Sequence, residues 1–156
     1  MKKIAIRSVC VVLVLSLLLS FAACGASMGV RSTISSFQEA CNTMDVEAAI
    51  ECLDPSISGV LNFGAGLVGM FTGKSNEELF SALSDFLGKS AENFGVDSFK
   101  TLDIDVTDVA TNEETADAKA TLTYKGMDGA ERTNNVTFRL KADDEGEWKI
   151  SGISFK

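Results

Sequence analysis

Leu102-Asp103-Ile104-Asp105-Val106 opens the part of the chain that decides the fold. Apolar and polar residues alternate there with period two. The alternation returns in Ala118-Lys119-Ala120-Thr121-Leu122-Thr123-Tyr124 and in Val136-Thr137-Phe138-Arg139-Leu140-Lys141. Successive side chains of a strand point to opposite faces, so each run describes a strand with one face in a core and one in water. Trp148 and Ile150 continue the theme, and Ile153 and Phe155 take the opposite parity across Ser151-Gly152. Turn chemistry separates the runs at Asn112-Glu113-Glu114, Met127-Asp128-Gly129 and Asp143-Asp144-Glu145-Gly146. The four runs predict an antiparallel meander. Parity breaks near Thr107-Asp108 and Ser151-Gly152 predict β-bulges, which bend the strands that carry them.

Upstream the period changes. Val30, Ile34, Phe37, Cys41 and Met44 fall on one stripe of an amphipathic helix. Asn42-Thr43-Met44-Asp45 interrupts it, and Asp45 is suited to cap a second helix with Val46, Ala49, Ile50 and Leu53 inward. Asp54-Pro55 ends that helix, because the residue before proline is driven out of helical geometry. Ile57 to Phe71 is almost devoid of charge but is interrupted by Gly59, Gly64, Gly66 and Gly69. Ser75 with Glu78 makes a capping box for a further helix with Leu79, Phe80, Leu83, Phe86 and Leu87 inward. Helices first and a meander last predict one α+β domain, with N-terminal helices packed on a curved four-stranded sheet.

The first 23 residues read differently. Lys2, Lys3 and Arg7 precede an apolar stretch from Val9 to Phe21, and small residues Ala22-Ala23 lead into Cys24. That stretch is shorter than the ~20 residues a helix needs to cross a bilayer. A cationic start, a short apolar core and a small-residue exit describe a cleaved secretory signal. Phe21-Ala22-Ala23-Cys24 resembles the lipobox of bacterial lipoproteins, with Phe21 where that family usually has Leu. The resemblance implies that the Cys24 thiol takes a diacylglyceryl group and becomes the new N-terminus. Cleavage after Ser20-Phe21-Ala22 by ordinary signal peptidase is the alternative, and it would free the protein. The organisation expected is therefore a signal peptide over 1–23, a tether over 24–30 and a single domain over 31–156. The expected location is the outer face of the cytoplasmic membrane, or the medium if no lipid is attached.

Composition excludes several function classes. The 156 residues carry a net charge of −8 and no histidine. Losing Lys2, Lys3 and Arg7 with the signal deepens the charge to −11. An acidic chain lacks the basic footprint of a nucleic-acid binder, so no nucleic-acid partner is expected. Attachment to anionic headgroups by charge is disfavoured, which leaves membrane attachment to the lipid. Without histidine, Ser-His-Asp and Cys-His nucleophile systems and every His-ligated metal site are ruled out. No cofactor or metal is expected.

The helix with Phe37 and Ala40, the Met44-Asp45 break, Leu53-Asp54-Pro55 and the terminal Trp148-Lys149-Ile150-Ser151-Gly152-Ile153 follow one another in a telling order. In that order they resemble the nuclear-transport-factor-2-like, or cystatin-like, superfamily, as carried by small Firmicutes lipoproteins of unknown function. The resemblance implies a cone-shaped domain, open at one end, used elsewhere for enzymes, ligand binding and protein association.

Four sets of residues bear on chemistry. Cys41 and Cys52 would lie about 16 Å apart in one straight helix, whereas a disulfide requires Cα atoms within about 7 Å. The break at 42–45 can fold the two helices together, so a disulfide and a pair of inert core thiols both stand open. Asp103, Asp105 and Asp108 alternate along a strand and read as its solvated face. Asp143-Asp144-Glu145-Gly146-Glu147 reads as a charged hairpin turn. Tyr124, the single tyrosine, sits on the inward parity of its strand, where its hydroxyl has the chemistry to stabilise an oxyanion. Phe63 and Phe71 join Tyr124 as candidate pocket residues. The function expected is non-enzymatic binding of a ligand or envelope partner. The alternative is an enzyme of isomerase or cyclase type working in the cone.

Overall fold

A computed structural model describes residues 25–56, 80, 81, 84 and 91–156. The four alternating runs form four strands: β1 (Asp103–Thr111), β2 (Thr115–Lys125), β3 (Glu131–Ala142) and β4 (Trp148–Phe155). They pair antiparallel in the order β1-β2-β3-β4, so the meander is as the alternation predicts. The inward parity is the buried one: Ala116, Ala118, Ala120, Leu122 and Tyr124 on β2 face the core with Val136, Phe138 and Leu140 on β3. Both bulges fall at the parity breaks. The β1–β2 register skips Thr107, between Val106 and Asp108. The β3–β4 register passes from Arg139 opposite Gly152 to Leu140 opposite Ile150, leaving Ser151 as the extra residue. Past that bulge Ile153 and Phe155 pack against the core from the altered parity.

A long helix, α1 (residues 25–42), supplies the other half of the core. Val30, Ile34, Phe37, Ala40 and Cys41 are its buried stripe. It begins earlier than the apolar spacing suggests, because residues 25–30, expected as tether, are helical. The reason lies in packing. Val30 is fully buried, and a Cβ placed on Gly29 would stand 2.8 Å from the Trp148 ring. Gly29, which reads as linker in the sequence, is what lets this turn approach the sheet. Gly29→Ala is accordingly expected to destabilise the chain by about 1 kcal/mol, since overpacking outweighs the helix-propensity gain of replacing glycine. A urea titration checks the sign.

The end of α1 also differs in detail. The helix stops at Asn42, and Met44 adopts a left-handed φ of 57° instead of extending the stripe. Asp45 N–H donates to the Ala40 carbonyl (2.8 Å) and Met44 N–H to the Cys41 carbonyl (3.0 Å), the bonds of a Schellman motif. Asp45 then caps α2 (Val46–Glu51), its side chain accepting from Ala48 N–H. Leu53 bridges in parallel to Ile150, and Cys52 and Asp54 exchange backbone bonds with Ile150 (both 2.8 Å). A short helix, α3 (Val96–Phe99), precedes β1 and has no apolar period to announce it. Phe80, Ser81 and Ser84 are helical, in the stretch opened by the predicted capping box. The glycine-interrupted stretch from Ile57 to Phe71 lies outside the described residues.

Both edges of the sheet are tied to helices. On β1, Ile104 N–H donates to Gln38 Oε1 (2.8 Å) and the Val106 carbonyl accepts from Arg31 (2.6 Å). On the β4 side, Thr33 Oγ1 donates to the Trp148 carbonyl (2.9 Å), beside the Ile150 bonds from 52 and 54. Covered edges resist pairing with other chains.

Candidate functional site

Two turns of α1, the end of α2 and the start of β4 enclose a groove of about 420 Å³. Helical spacing puts Ser32 and Ser36 on one face of α1, with Thr33 alongside. Glu51 and Cys52 come from the end of α2, and Trp148 and Lys149 from the first residues of β4. Thr33 is held in place by its bond to the Trp148 carbonyl. Lys149 Nζ pairs with Glu147 Oε2 at 2.9 Å, and that hydrogen bond raises the ammonium pKa above its ordinary value. Hydroxyls, the Glu51 carboxylate and the paired Lys149 and Glu147 around an indole suit a small polar ligand. The volume lies within the range of ordinary ligand pockets.

Sequence reasoning missed this groove. Its members come from three segments more than ten residues apart, and none carries a motif. The position of Thr33 beside the stripe residue Ile34 was the only local sign, and hydroxyls are common on solvated helix faces.

Tyr124 occupies a different environment. Its ring is buried and packs edge-on to Phe94 (centroids 4.7 Å apart), which packs on Phe99, which in turn meets Phe80. Its hydroxyl donates to the Glu92 carbonyl (3.0 Å) and accepts from Asn134 Nδ2 (3.1 Å). No carboxylate among the described residues hydrogen-bonds to it. Burial raises the phenol pKa, against the Asn134 hydrogen bond and the Arg132 charge, which favour the phenolate. The candidate pocket partners Phe63 and Phe71 lie outside the described residues, as does Cys24.

That raised pKa has a sign that can be checked. The folded state holds the phenolic proton more tightly than the unfolded one. The contribution to stability is therefore complete below the unfolded value of about 10 and is lost as pH rises through the folded value. Tyr124 is the chain's single tyrosine, so phenolate absorbance reports on it alone. Its midpoint is expected above that of free tyrosine in buffer and to return to about 10 in denaturant.

A second groove, of about 430 Å³, lies where α3 meets the β2–β3 turn, with Ser98, Thr101, Lys125 and Met127 on its walls. Ser98 is buried and spends its hydroxyl structurally, accepting from Gly95 N–H (3.0 Å) and donating to the Lys125 carbonyl (2.7 Å). At the turn itself Arg132 grips Asp128 through both terminal guanidinium nitrogens (2.8 and 3.0 Å), which holds the carboxyl below the usual range.

The remaining residues singled out in the sequence fall as follows. Cys41 and Cys52 are free, buried thiols. Asp103, Asp105 and Asp108 are exposed along β1. Asp143 uses its carboxylate within its own turn, accepting from Glu145 N–H (3.0 Å) and Glu147 N–H (2.8 Å). Among the described residues no group of three acidic or thiol side chains is arranged to hold a metal, and no helix is long and apolar enough to cross a membrane.

No protein-family model matches the sequence, and no curated protein matches it. Among solved structures, the chain is similar to one from Shewanella frigidimarina provisionally named a ketosteroid isomerase. The TM-score is 0.52 at 14% identity, covering 85% of this chain and 98% of that one. The two share an α+β fold in which helices pack on an antiparallel meander sheet. A solution structure of a SEC-C-motif-containing protein from Rhodopseudomonas palustris has a TM-score of 0.46 at 9% identity, covering 74% of this chain and 70% of that one. At such identities the likeness concerns the fold and leaves the chemistry to this chain's own residues.

Proposed function

We propose that the chain is an exported binding module, carried on lipid at Cys24, that takes a ligand or envelope partner without transforming it. The observation that carries the reading is the commitment of Tyr124. Its hydroxyl is the only phenol available to an isomerase-type mechanism, and it is already paired with the Glu92 carbonyl and Asn134. General acid–base chemistry would need a carboxylate within hydrogen-bond reach of the same reacting atoms. The groove beside Trp148 supports binding instead, having the volume and mixed lining of a ligand site. Trp148 is the chain's single tryptophan, so its emission reports directly on occupancy of that groove. Titration with solubilised envelope polymer fragments is expected to shift the emission, and backbone amide shifts are expected to cluster at Ser32, Ser36 and Glu51. Titrations that leave both unchanged would contradict binding at this groove.

The isomerase or cyclase reading is second. It draws on the name of the Shewanella neighbour, and it assigns Tyr124 as proton donor to a developing oxyanion. The test is turnover of a β,γ-unsaturated steroid ketone. Turnover above the buffer rate that is lost in Tyr124→Phe would establish catalysis and displace the binding reading; the binding reading predicts no turnover in either chain.

A further inference from the structure

We propose that the groove beside Trp148 takes an uncharged sugar carrying an acetamido group, whose carbonyl accepts from the Trp148 indole N–H. This ligand class rests on the binding reading above and deepens it. The indole lines the groove, yet Trp148 is only 9% exposed. The bond that holds Thr33 uses the Trp148 carbonyl, and the indole N–H donates to no group among the described residues. Buried polar groups are almost always paired, so a buried donor without a protein partner marks a place for an acceptor. The N–H edge of the ring lies against α1 at the groove wall. A Cβ on Gly29, itself a groove residue, would stand 2.8 Å from Cδ1 and 3.2 Å from Nε1. Glycine therefore leaves that edge uncovered.

The rest of the lining limits which acceptors suit. Glu51 stands without an ion pair among the described residues, while Lys149 and Glu147 neutralise one another. The groove thus keeps one negative charge, in a chain of net charge −8. A carboxylate or phosphate would accept from the N–H but be repelled by Glu51. An ammonium would suit Glu51 and leave the N–H unpaired, because it has no acceptor. A neutral ligand with a carbonyl and hydroxyls serves both. Its carbonyl, a pure acceptor, complements the indole, a pure donor, and a hydroxyl donates to Glu51. Ser32 and Ser36 add two hydroxyls that make no side-chain hydrogen bond among the described residues. They stand one helical turn apart, about 5–6 Å between Cβ atoms. Hydroxyls on opposite sides of a pyranose ring match that span.

Trp148 is the single tryptophan, so a proton–nitrogen correlation spectrum shows one indole N–H peak. Titrating the full chain with the N-acetylglucosamine trimer is expected to move that peak, together with the backbone amides of Ser32, Ser36 and Glu51. Glu51→Ala is expected to weaken the affinity about tenfold, the loss of one hydrogen bond to a charged group. Glu51 is exposed at the last position of α2, so the variant is expected to fold. Trimer binding that leaves the indole peak in place, or that is equally tight in Glu51→Ala, would overturn the proposal. So would an indole shift caused by inorganic phosphate or by glycine where the trimer causes none, which would assign the N–H to an anion or an amino acid. The wild-type indole peak decides the donor even if the Glu51→Ala chain does not fold. A silent trimer beside envelope fragments that shift the tryptophan emission would overturn the sugar and leave the binding reading intact. Silence of both would remove that reading as well.

Discussion

Phe138→Ala is expected to cost about 3–5 kcal/mol of unfolding free energy, the range for emptying a buried aromatic site. Phe138 is fully buried at the middle of β3, between Ala118 on β2 and Ile153 on β4. Its flanking position on β2 carries a methyl group, too short to move into the space left behind. The backbone on both sides is fixed by ladder hydrogen bonds, so the sheet cannot collapse onto the cavity. Against a domain stability of roughly 5–15 kcal/mol, that loss removes a large fraction of the total. Urea midpoints measure it, and the melting temperature is expected to fall by more than ~10 °C. Ile153→Ala, at a half-buried site past the bulge, provides a scale and is expected to cost less. A Phe138→Ala loss below ~1 kcal/mol would mean that the inward face of β3 is not the centre of the core.

Cys24→Ser carries the largest expected change in where the protein is found. A lipid chain contributes about 0.8 kcal/mol per buried methylene, so the two chains of a diacylglyceryl group hold a protein firmly on a bilayer. The charge of the domain offers no second attraction to such a bilayer. Its net charge without the signal is −11, which repels anionic headgroups. Within the proposed reading, the wild-type chain fractionates with membranes and the Cys24→Ser chain does not. Its fold is expected to be unchanged, because residue 24 lies before the first buried residue of α1, Val30. A Cys24→Ser chain that remains in the membrane fraction after a high-salt wash would remove lipid attachment at this residue from the account.

The sheet was legible because each strand is half-buried. A period of two survives in the sequence only when one face is dry, and Leu122, Phe138 and Ile150 mark that face without ambiguity. Even the bulges at Thr107 and Ser151 were legible, since an extra residue reverses parity. The Asp45 cap was equally plain, because a carboxylate before Val46-Glu47-Ala48 has an obvious donor to satisfy. The start of α1 was not. Gly25, Ala26, Ser27 and Gly29 have the composition of a linker, and only the Trp148 ring, more than a hundred residues away, explains why position 29 is glycine. Met44 misled in the opposite direction: its spacing fits the helical stripe, yet it takes the left-handed position that ends the helix. For the site, the inward parity of Tyr124 was readable, while its partners Glu92 and Asn134 were not, because hydrogen bonds between distant segments leave no periodic trace. The groove at Trp148 was invisible for the same reason.

The intact mass of the chain extracted from membranes by detergent tests the central claim most directly. The account predicts a polypeptide that begins at Cys24 and carries the added mass of a diacylglyceryl group on that residue. A chain recovered from the medium without added mass, beginning at Ala23, would contradict it.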